Sequence, residues 1–490
     1  MTLSVGLGIA NSGLSVTADQ TAVVSRNVAN AGDLYASRKT ANVVTAAGGG
    51  ARLASITRVF NDALFRNVLS TTSVASGQRA ILDALDMLDQ TVNDPELDAS
   101  PAALVGKLSA ALQHYAEAPN DAVRARSAIS AASDLASGLR AASQTVQQVR
   151  QQADKDLSNS VGRINTLLSQ YETLNSAIVK GTRAGADVTD QLDARDRVLA
   201  SLSEEVGIRT VSRADGDLAI FTDSGVTLFE GSARSVTFQS TASFGPGTQG
   251  NAVYIDGVPV IGASATMPVA SGRLVGLAAV RDDVAVTYQS QLDEMARGLV
   301  EAFAESDQSA VPALPDVPGL FTYPGAPPMP PTGTLVVGLA ASIRVAASVD
   351  PAQGGNLNLL RDGGIGGNPA YVYNTSGAPA FSDRLQELVD GMNASRAFDP
   401  AAQSGAGGTI ANFSAASVAW LQEARSSASA DAEYRTALLE RSTEALSKVN
   451  GVNLDEEMTA LLELERSYQA SSKLITMIDS MFEALLTAVG

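Results

Sequence analysis

The chain has 490 residues, 34 basic and 52 acidic side chains, a net charge of −18 and no cysteine. This length allows several domains, the acidic balance argues against nucleic acid as a partner, and the lack of cysteine excludes disulfides and thiolate metal sites. No stretch approaches the roughly 18 consecutive apolar residues of a membrane helix, and the first residues lack the basic and apolar segments of a cleaved signal peptide.

The first thirty residues predict an amphipathic helix. Its apolar residues recur at spacings of three and four, with Thr17 and Thr21 filling two gaps: Leu3, Leu7, Ala10, Leu14, Val24 and Val28. Residues 33–47 are polar and non-periodic, which predicts an extended or loop segment, and a short strand is expected near residues 53–60.

Helical patterns then dominate up to residue 206. Asn61 or Asp62 can cap a helix that ends near Val92, and Ser100 followed by Pro101 is typical of a helix start. Two further helices are expected, over residues 121–180 and 189–206.

The pattern changes at Gly207, where the turn pairs Asp215-Gly216 and Ser224-Gly225 separate short apolar runs. That pattern predicts β-hairpins as far as about residue 262. A helix is expected from Gly276 to Glu305, followed by a segment with eight of the chain's eighteen prolines. Mixed strand and loop, a helix over about 381–397, and a helical end broken at Asn450-Gly451 complete the prediction.

The last segment predicts one long helix. Asn453 can cap its start, with Glu456 in the capping-box position, and apolar residues follow at the spacing of a coiled coil up to Val489. Such a helix requires a partner, and the first helix is the obvious one. Two interpretations are open: a hairpin within an ordinary core, or a pair of terminal helices that packs against other subunits.

The sequence therefore predicts a mainly α, multi-domain protein with an inserted all-β domain, whose N- and C-terminal helices pair in a coiled-coil-like bundle. Chain that leaves a helical unit and later returns to it builds nested domains. The three expected domains are a terminal helical assembly domain (1–50 with 430–490), a mainly helical middle domain (51–206 with 263–429, including a proline-rich loop at 311–333 and mixed strand and loop at 334–380) and the inserted β domain (207–262).

Two terminal motifs resemble those of bacterial flagellar axial proteins. The run Asn27-Val28-Ala29-Asn30 with Leu34-Tyr35-Ala36-Ser37-Arg38-Lys39 is similar to their N-terminal signature. The run Val452-Asn453-Leu454-Asp455-Glu456-Glu457-Met458 with Tyr468-Gln469-Ala470 is similar to the C-terminal motif of rod, hook and hook-associated proteins. Arg26 and the turn Ala31-Gly32-Asp33 depart from the usual pattern.

Two internal segments narrow the resemblance to the hook-associated protein 1 family. One is Leu192-Asp193-Ala194-Arg195-Asp196-Arg197-Val198-Leu199 with Leu202-Ser203-Glu204, which resembles a helix of that family. The other is Gly272-Arg273-Leu274-Val275-Gly276-Leu277 with Arg281-Asp282 and Leu292-Asp293, which resembles the helix after the family's β domain.

The resemblance implies a structural component of the bacterial flagellum that joins hook to filament, without enzymatic activity, cofactor or metal. It implies export through the flagellar type III pathway to an extracellular position at the hook–filament junction. The implied partners are copies of the chain in a ring, the flagellar hook protein, the next hook-associated protein on the filament side and a flagellar export chaperone, with no nucleic acid and no membrane. A hook or rod structural protein and a type III-secreted enzyme are the alternatives.

The resemblance assigns packing roles to residues of both terminal helices. Asn27 and Asn30 are expected to satisfy backbone groups where the first helix ends. The predicted assembly interface comprises Leu7, Leu14, Val24, Asn27, Val28, Asn30, Leu461, Leu464, Tyr468, Ile475, Ile478, Phe482 and Leu485.

Residues that could carry chemistry have simpler explanations. His114 is the single histidine, which excludes histidine dyads and most zinc sites. The glycine run 363–367 lacks the lysine and hydroxyl residue of a phosphate-binding loop, so a flexible loop is expected. The aspartates at 83, 86 and 89 predict a solvated helix face rather than a metal site, and the triplet 374–376 fits a glycosylation sequon.

Overall fold

The computed structural model describes residues 3–92, 99–311, 314–326 and 328–489. Over this part of the chain the protein is mainly helical. The helices are α1 (Leu3–Ala29), α2 (Asp62–Val92), α3 (Pro101–Glu117), α4 (Ala122–Ala184), α5 (Thr189–Glu205), α6 (Arg273–Ala279), α7 (Ala285–Ala302), α8 (Leu339–Ser342), α9 (Leu359–Asp362), α10 (Asp383–Asn393), α11 (Ile410–Asn450) and α12 (Leu454–Val489).

The strands form five small antiparallel sheets in the described residues. Their orders are β1-β2, β3-β4-β5, β6-β7-β8, β10-β9 and β11-β12. The strands are β1 (Lys39–Thr45), β2 (Ala51–Arg58), β3 (Ile208–Ser212), β4 (Leu218–Thr222), β5 (Thr227–Phe229), β6 (Val236–Phe238), β7 (Val253–Ile255), β8 (Val258–Ile261), β9 (Phe321–Thr322), β10 (Arg344–Val345), β11 (Arg396–Ala397) and β12 (Gly407–Gly408).

The 63-residue helix α4 runs through the centre of the molecule, and local signals fix both of its ends. The carboxylate of Asp121 accepts hydrogen bonds from the backbone N–H of Val123 and Arg124, as an N-cap residue does. Gly185 ends the helix at a φ of 71°, a left-handed conformation that favours glycine. Ser100 caps α3 in the same way as Asp121 caps α4, which confirms the predicted start at Pro101.

Two hydrophobic clusters lie along α4. The first contains the first half of α4 together with α3, α7 and residues 320–428. The second contains the later part of α4 together with α2, α5 and α6. We call α2–α11 with strands β3–β12 the body of the protein, because these elements carry both clusters.

The segment 207–262, predicted as an inserted β domain, packs its apolar residues into the second cluster. Ile220 and Val253 of its sheets share this core with Leu157, Ile164 and Tyr171 of α4. The segment contains six β-strands, as the hairpin pattern predicts, and one 3-10 turn over Ala214–Gly216, but its core is shared with helices.

Three predicted elements differ in detail. Residues 33–47 contain the strand β1, which pairs with β2 from Lys39 opposite Arg58 to Thr45 opposite Ala51. The helix expected over 276–305 is interrupted by a π-turn over Val280–Val284, in which Arg281 points inward to Asp154. The helix expected to reach residue 397 ends at Asn393, since the chain then enters β11.

Two elements also cross predicted domain boundaries. The β1–β2 hairpin joins residues on both sides of position 50, and α11 runs without a break through position 430. Pro95, and positions 312, 313 and 327 of the predicted proline-rich loop, lie outside the described residues. The predicted fold class is confirmed as mainly helical, with small antiparallel sheets and long terminal helices.

Candidate assembly interface

Helices α1 and α12 pack against each other in antiparallel orientation; we call them the terminal helix pair. A Cβ atom added to Gly6 would lie 3.6 Å from Cδ1 of Ile478, and one added to Gly13 would lie 3.6 Å from Oγ of Ser471. At the other end, Nδ2 of Asn27 donates to Glu457 at 3.0 Å. The residue numbers of all three pairs add to the same total, so the register is constant over the length of the contact.

The structure places most of the predicted interface residues on the facing sides of this pair. Val24 and Asn27 are buried, whereas Tyr468 and Leu485 are 47% and 53% exposed and Asn30 is also exposed. The remaining predicted residues are half-buried: Leu7, Leu14, Val28, Leu461, Leu464, Ile475, Ile478 and Phe482.

The best buried residues of α1 include several that the predicted interface omitted, although Ala10 and Thr17 stand in the predicted apolar face of this helix. Ala10, Val16, Thr17 and Val23 are each less than a tenth exposed. The prediction favoured large side chains, but these smaller ones lie seven residues apart in two rows, 10-17-24 and 16-23. Val16 and Val23 stand in neither prediction, and their spacing of seven residues is the signal that could have identified them, because residues seven apart lie on one helix face.

Helix α12 keeps a large apolar surface that α1 does not cover. Besides Tyr468 and Leu485, the apolar side chains that are at least 47% exposed on this helix are Leu454, Met458, Leu462, Leu474, Met477, Met481 and Leu486. Isolated exposed apolar residues are common on proteins, but nine on a single helix mark a contact surface, which we call the apolar surface of α12.

Asn27 closes the end of the pair, as the sequence predicts. Its Nδ2 donates to the backbone carbonyl of Lys39 at 2.9 Å, and its Oδ1 accepts from the backbone N–H of Lys39 at 3.0 Å. The same Nδ2 contacts the carboxylate of Glu457. The side chain of Asn30 is exposed, and it is the backbone carbonyl of Asn30 that accepts from Asp33 at 3.0 Å.

The two signature segments meet next to Asn27. Nε of Arg38 lies 2.7 Å from Glu457, and NH1 of Arg38 lies 3.0 Å from Glu456. Glu456, expected in a capping box, thus pairs with an arginine, while Asn453 accepts from the backbone N–H of Asp455 at 3.0 Å as a helix cap does. Both ends of the sequence resemblance are therefore parts of one contact.

A cluster of charges, four of them largely buried and one, Asp190, exposed, joins the chain after α1 to helix α5. Nζ of Lys39 contacts Asp190 and lies 3.2 Å from Asp193. NH1 of Arg58 lies 3.1 Å from Asp193 and 2.5 Å from Asp196. We call these five residues the ionic joint.

The prediction did not include the ionic joint, although it quoted Lys39 in one motif and Asp193 and Asp196 in another. Burial raises the pKa of Asp196, and the neighbouring Arg58 opposes that shift. Deeper in the body, Arg195 donates to Asn175 at 3.0 Å and to the carbonyl of Gly216 at 2.7 Å, and burial lowers its pKa. The charged residues of this α5 motif thus serve packing between elements.

The other candidate residues also have structural roles. His114 is exposed and lies 3.5 Å from Glu117. Asp86 and Asp89, expected on a solvated face, contact Arg425 of α11 at 2.5 and 3.5 Å, so part of that face is an interhelical contact.

The glycine run 363–367 is anchored and is not the flexible loop expected from its composition. Its backbone N–H groups surround the buried carboxylate of Glu305, which accepts from Ile365 at 3.0 and 3.1 Å. Burial raises the pKa of Glu305, whereas these hydrogen bonds lower it. The loop thus binds an anion, as glycine-rich loops do, but the anion belongs to the chain itself.

The predicted sequon is shielded. Asn374 is 5% exposed, and its Nδ2 donates to Asp362 at 2.6 Å and to the carbonyl of Ala378 at 2.9 Å. In the described residues, no group of three or more histidine, cysteine, aspartate or glutamate side chains is arranged to hold a metal ion. None of the helices described here is long and apolar enough to cross a membrane.

Two protein families match this chain, one over its middle and one near its C-terminal end. Residues 85–314 match the family described as flagellar hook-associated protein FlgK helical domain. Residues 445–488, which include most of α12, match the family described as flagellar basal body rod FlgEFG protein C-terminal. The long terminal helices and this C-terminal match make the chain similar to proteins of the flagellar axial class.

Within that class, the chain is similar to proteins named flagellar hook-associated protein 1. Flagellar hook-associated protein 1 of Salmonella typhimurium is 23% identical over 308 residues, which cover 60% of this chain and 55% of the relative. The Bacillus subtilis protein of that name is 21% identical over 370 residues, covering 71% of this chain and 68% of the relative. The Escherichia coli protein is 22% identical over 328 residues, covering 66% and 59%.

The chain thus spans little more than half the length of the Salmonella relative. Among solved structures, the flagellar hook junction protein FlgK from Burkholderia pseudomallei matches with a TM-score of 0.42 and 23% identity, covering 53% of this chain and 46% of that one.

Proposed function

We propose that this chain is a structural protein of the bacterial flagellum that joins the hook to the filament, and that it assembles through its terminal helices. The proposal follows the name of the relatives, flagellar hook-associated protein 1. The observation that carries it is the apolar surface of α12 that α1 leaves uncovered. The proposed role is mechanical, without catalysis, cofactor or metal.

The occupant that we propose for this surface is the terminal helix pair of neighbouring copies of the chain. Every copy carries the same apolar surface, and rotation about one axis repeats one contact around a ring, in which this surface packs against a different face of the neighbouring terminal helix pair. The pairing of α1 with α12 would then become one unit of a coiled-coil-like bundle. The half-buried state of Leu461, Ile475 and Phe482 supports this, because a second layer of helices would complete their burial.

The further partners in this proposal are the flagellar hook protein on one side and the next hook-associated protein on the filament side. We also propose a flagellar export chaperone that covers the apolar terminal helices before assembly, and secretion through the flagellar type III pathway to the hook–filament junction outside the cell. The absence of cysteine from the sequence suits a chain that is threaded unfolded.

We also propose a division into a terminal unit, a helical middle unit and an inserted β segment over 207–262. The hairpin β1–β2 packs on α1, where the Ser12 hydroxyl accepts from the Ala51 backbone N–H at 3.1 Å. Helix α11 contributes Phe413 and Ala428 to the first cluster of the body. These contacts favour a terminal unit of 3–58 with 454–489, so the boundaries expected at 50 and 430 move.

Cells that lack the gene provide the test of the proposed junction role. We expect electron micrographs of such cells to show hooks without filaments, with filament subunits shed into the medium. Restored filaments on expression of this chain would support the proposal, and filaments of normal length in the deletion strain would contradict it.

The assembly surface has its own test in Tyr468→Asp, with the neighbouring Ser467→Asp as matched control. Both positions are exposed in the single chain, so neither change should lower the melting temperature. Only Tyr468→Asp should prevent incorporation, because a carboxylate within a packed interface costs several kcal/mol. Equal incorporation of both variants would remove Tyr468 from the interface.

A hook or rod role is the second candidate, favoured by the match of residues 445–488 to the basal body rod family. The same deletion strain separates the two roles. Loss of the hook itself, and not only of the filament, would support the rod or hook role.

A further inference from the structure

The terminal helix pair is attached to the body mainly through polar contacts. Neither hydrophobic cluster of the body contains a residue of α1 or α12 in the described part of the chain. Tyr35 and Phe60 supply apolar contact beside the attachment, packed against the second cluster. Apolar contact is not directional, so the direction in which the pair leaves the body depends on the polar groups.

The ionic joint is the buried part of this attachment. The side chains of Lys39, Asp193, Asp196 and Arg58 are 2%, 4%, 6% and 10% exposed. Salt screens such pairs far less than it screens surface pairs. Outer pairs surround the joint, such as Arg26 with Asp187 at 3.1 Å and Arg197 with Asp33 at 3.3 Å.

Asp193 is the residue that connects the joint. Its carboxylate accepts from the Ser37 hydroxyl at 2.6 Å, lies 3.2 Å from Nζ of Lys39 and lies 3.1 Å from NH1 of Arg58. Ser37 precedes β1, and Lys39 and Arg58 are the paired end residues of β1 and β2, whereas Asp193 stands on α5. Charge-assisted hydrogen bonds from several directions fix one geometry, because each bond has a preferred angle and length.

We propose that Asp193 is a positioning residue for assembly: it fixes the direction of the terminal helix pair relative to the body and so aims the apolar surface of α12 at neighbouring subunits. This inference rests on the proposed function for its consequence in the flagellum. Its structural part concerns the single chain and does not depend on that function.

The isosteric change Asp193→Asn isolates the charge. The amide oxygen can still accept from Ser37, while both ion pairs of Asp193 are lost. Folding should survive, because Lys39 keeps Asp190 and Arg58 keeps Asp196. Asp134→Asn is the matched control, since Asp134 is an exposed carboxylate on α4, outside the joint.

Spin labels can measure the direction of the pair in the purified full chain. The sequence has no cysteine, so Ser169→Cys on α4 and Ser472→Cys on α12 introduce the only two thiols. Both serines are exposed. Ser472 lies roughly 27 Å along α12 from its first residue, so a small rotation at the joint gives a large displacement at the label.

We expect a single narrow distance distribution from double electron–electron resonance for the labelled chain and for its Asp134→Asn form. With Asp193→Asn we expect a distribution about twice as wide, as more than one orientation becomes populated. An unchanged width with Asp193→Asn would overturn the proposal, and so would equal broadening with Asp134→Asn. If Asp193→Asn does not fold, Lys39→Gln makes the same test, with the same broadening expected and an unchanged width as the overturning result.

Incorporation of the chain into flagella is measured separately from the spin-label distances. If Asp193→Asn broadens the distance distribution but the unmutated chain never enters flagella, the positioning role of Asp193 is retained and the proposed function is refuted. If the unmutated chain does enter flagella, Asp193→Asn should reduce the fraction of hooks that carry filaments. Normal filament numbers together with a broadened distribution would overturn the inferred consequence for assembly.

Discussion

Asn27→Ala should release the end of α1 from both of its neighbours. The side chain is 2% exposed and makes two hydrogen bonds with the backbone of Lys39 and one with the carboxylate of Glu457. Alanine makes none of them and leaves the backbone groups of Lys39 and one oxygen of Glu457 without this partner in a buried place.

The size of the effect follows from these three contacts. A hydrogen bond between neutral groups contributes about 1 kcal/mol, and one to a charged group contributes about 2 kcal/mol. The sum for Asn27 is about 4 kcal/mol, which corresponds to about a thousandfold change in the equilibrium between closed and open forms of this contact.

Hydrogen exchange of the Lys39 backbone amide measures that equilibrium directly, because this amide donates to Asn27 Oδ1. We expect its protection to fall by about a thousandfold in Asn27→Ala, while the amides of α4 keep theirs. Asn30→Ala is the matched control at the same helix end, and its exposed side chain predicts little change. Unchanged protection of Lys39 in Asn27→Ala, or equal loss in Asn30→Ala, would refute the reasoning.

Three further changes test other parts of the structure. Ile475→Asp puts a carboxylate into the half-buried α1–α12 contact and should cost about 2 kcal/mol; circular dichroism should show lost helix while calorimetry shows an unchanged transition of the body, and full helicity would contradict this. Deleting residues 207–262 and bridging the ends with a Gly/Ser linker should lower the melting temperature of the body, because Tyr171 and its neighbours on α4 lose the sheets that cover them. An unchanged melting temperature would show that the helical core is complete without the sheets. Burial raises the pKa of Asp293 to about 6, although Gly338, Ala340 and Gln289 donate hydrogen bonds to its carboxylate. Because the folded form binds this proton more tightly than the unfolded form, the contribution of Asp293 to the free energy of unfolding should decrease as pH rises from about 4 to about 6. Denaturant titrations of Asp293→Asn should therefore show a flatter pH dependence between these values.

Much of the fold is determined by local sequence. Ser100-Pro101 and Asp121 start α3 and α4 where predicted, and the chain breaks between α11 and α12 after Asn450. Helix caps, turn residues and apolar periodicity act between residues that are close in sequence, so they can be recognised without knowing which elements pack together in the fold. The same reasoning named Asn27 and Asn30 together; Asn27 makes the expected backbone hydrogen bonds, whereas the side chain of Asn30 is exposed.

Tertiary structure alone decided which charges meet and which surfaces are covered. Lys39 and Asp193 stand in different motifs, and only the fold brings them to 3.2 Å in a buried place. The β segment looked self-contained because its turns and strands are local, yet its core is shared with helices that the pattern of residues 207–262 cannot reveal. The exposure of Tyr468 and Leu485 was equally hidden. An apolar helix face in the sequence predicts that another element packs against it, but the area that this element covers depends on its geometry. Charge pairing depends on distances in space that spacing along the chain does not encode.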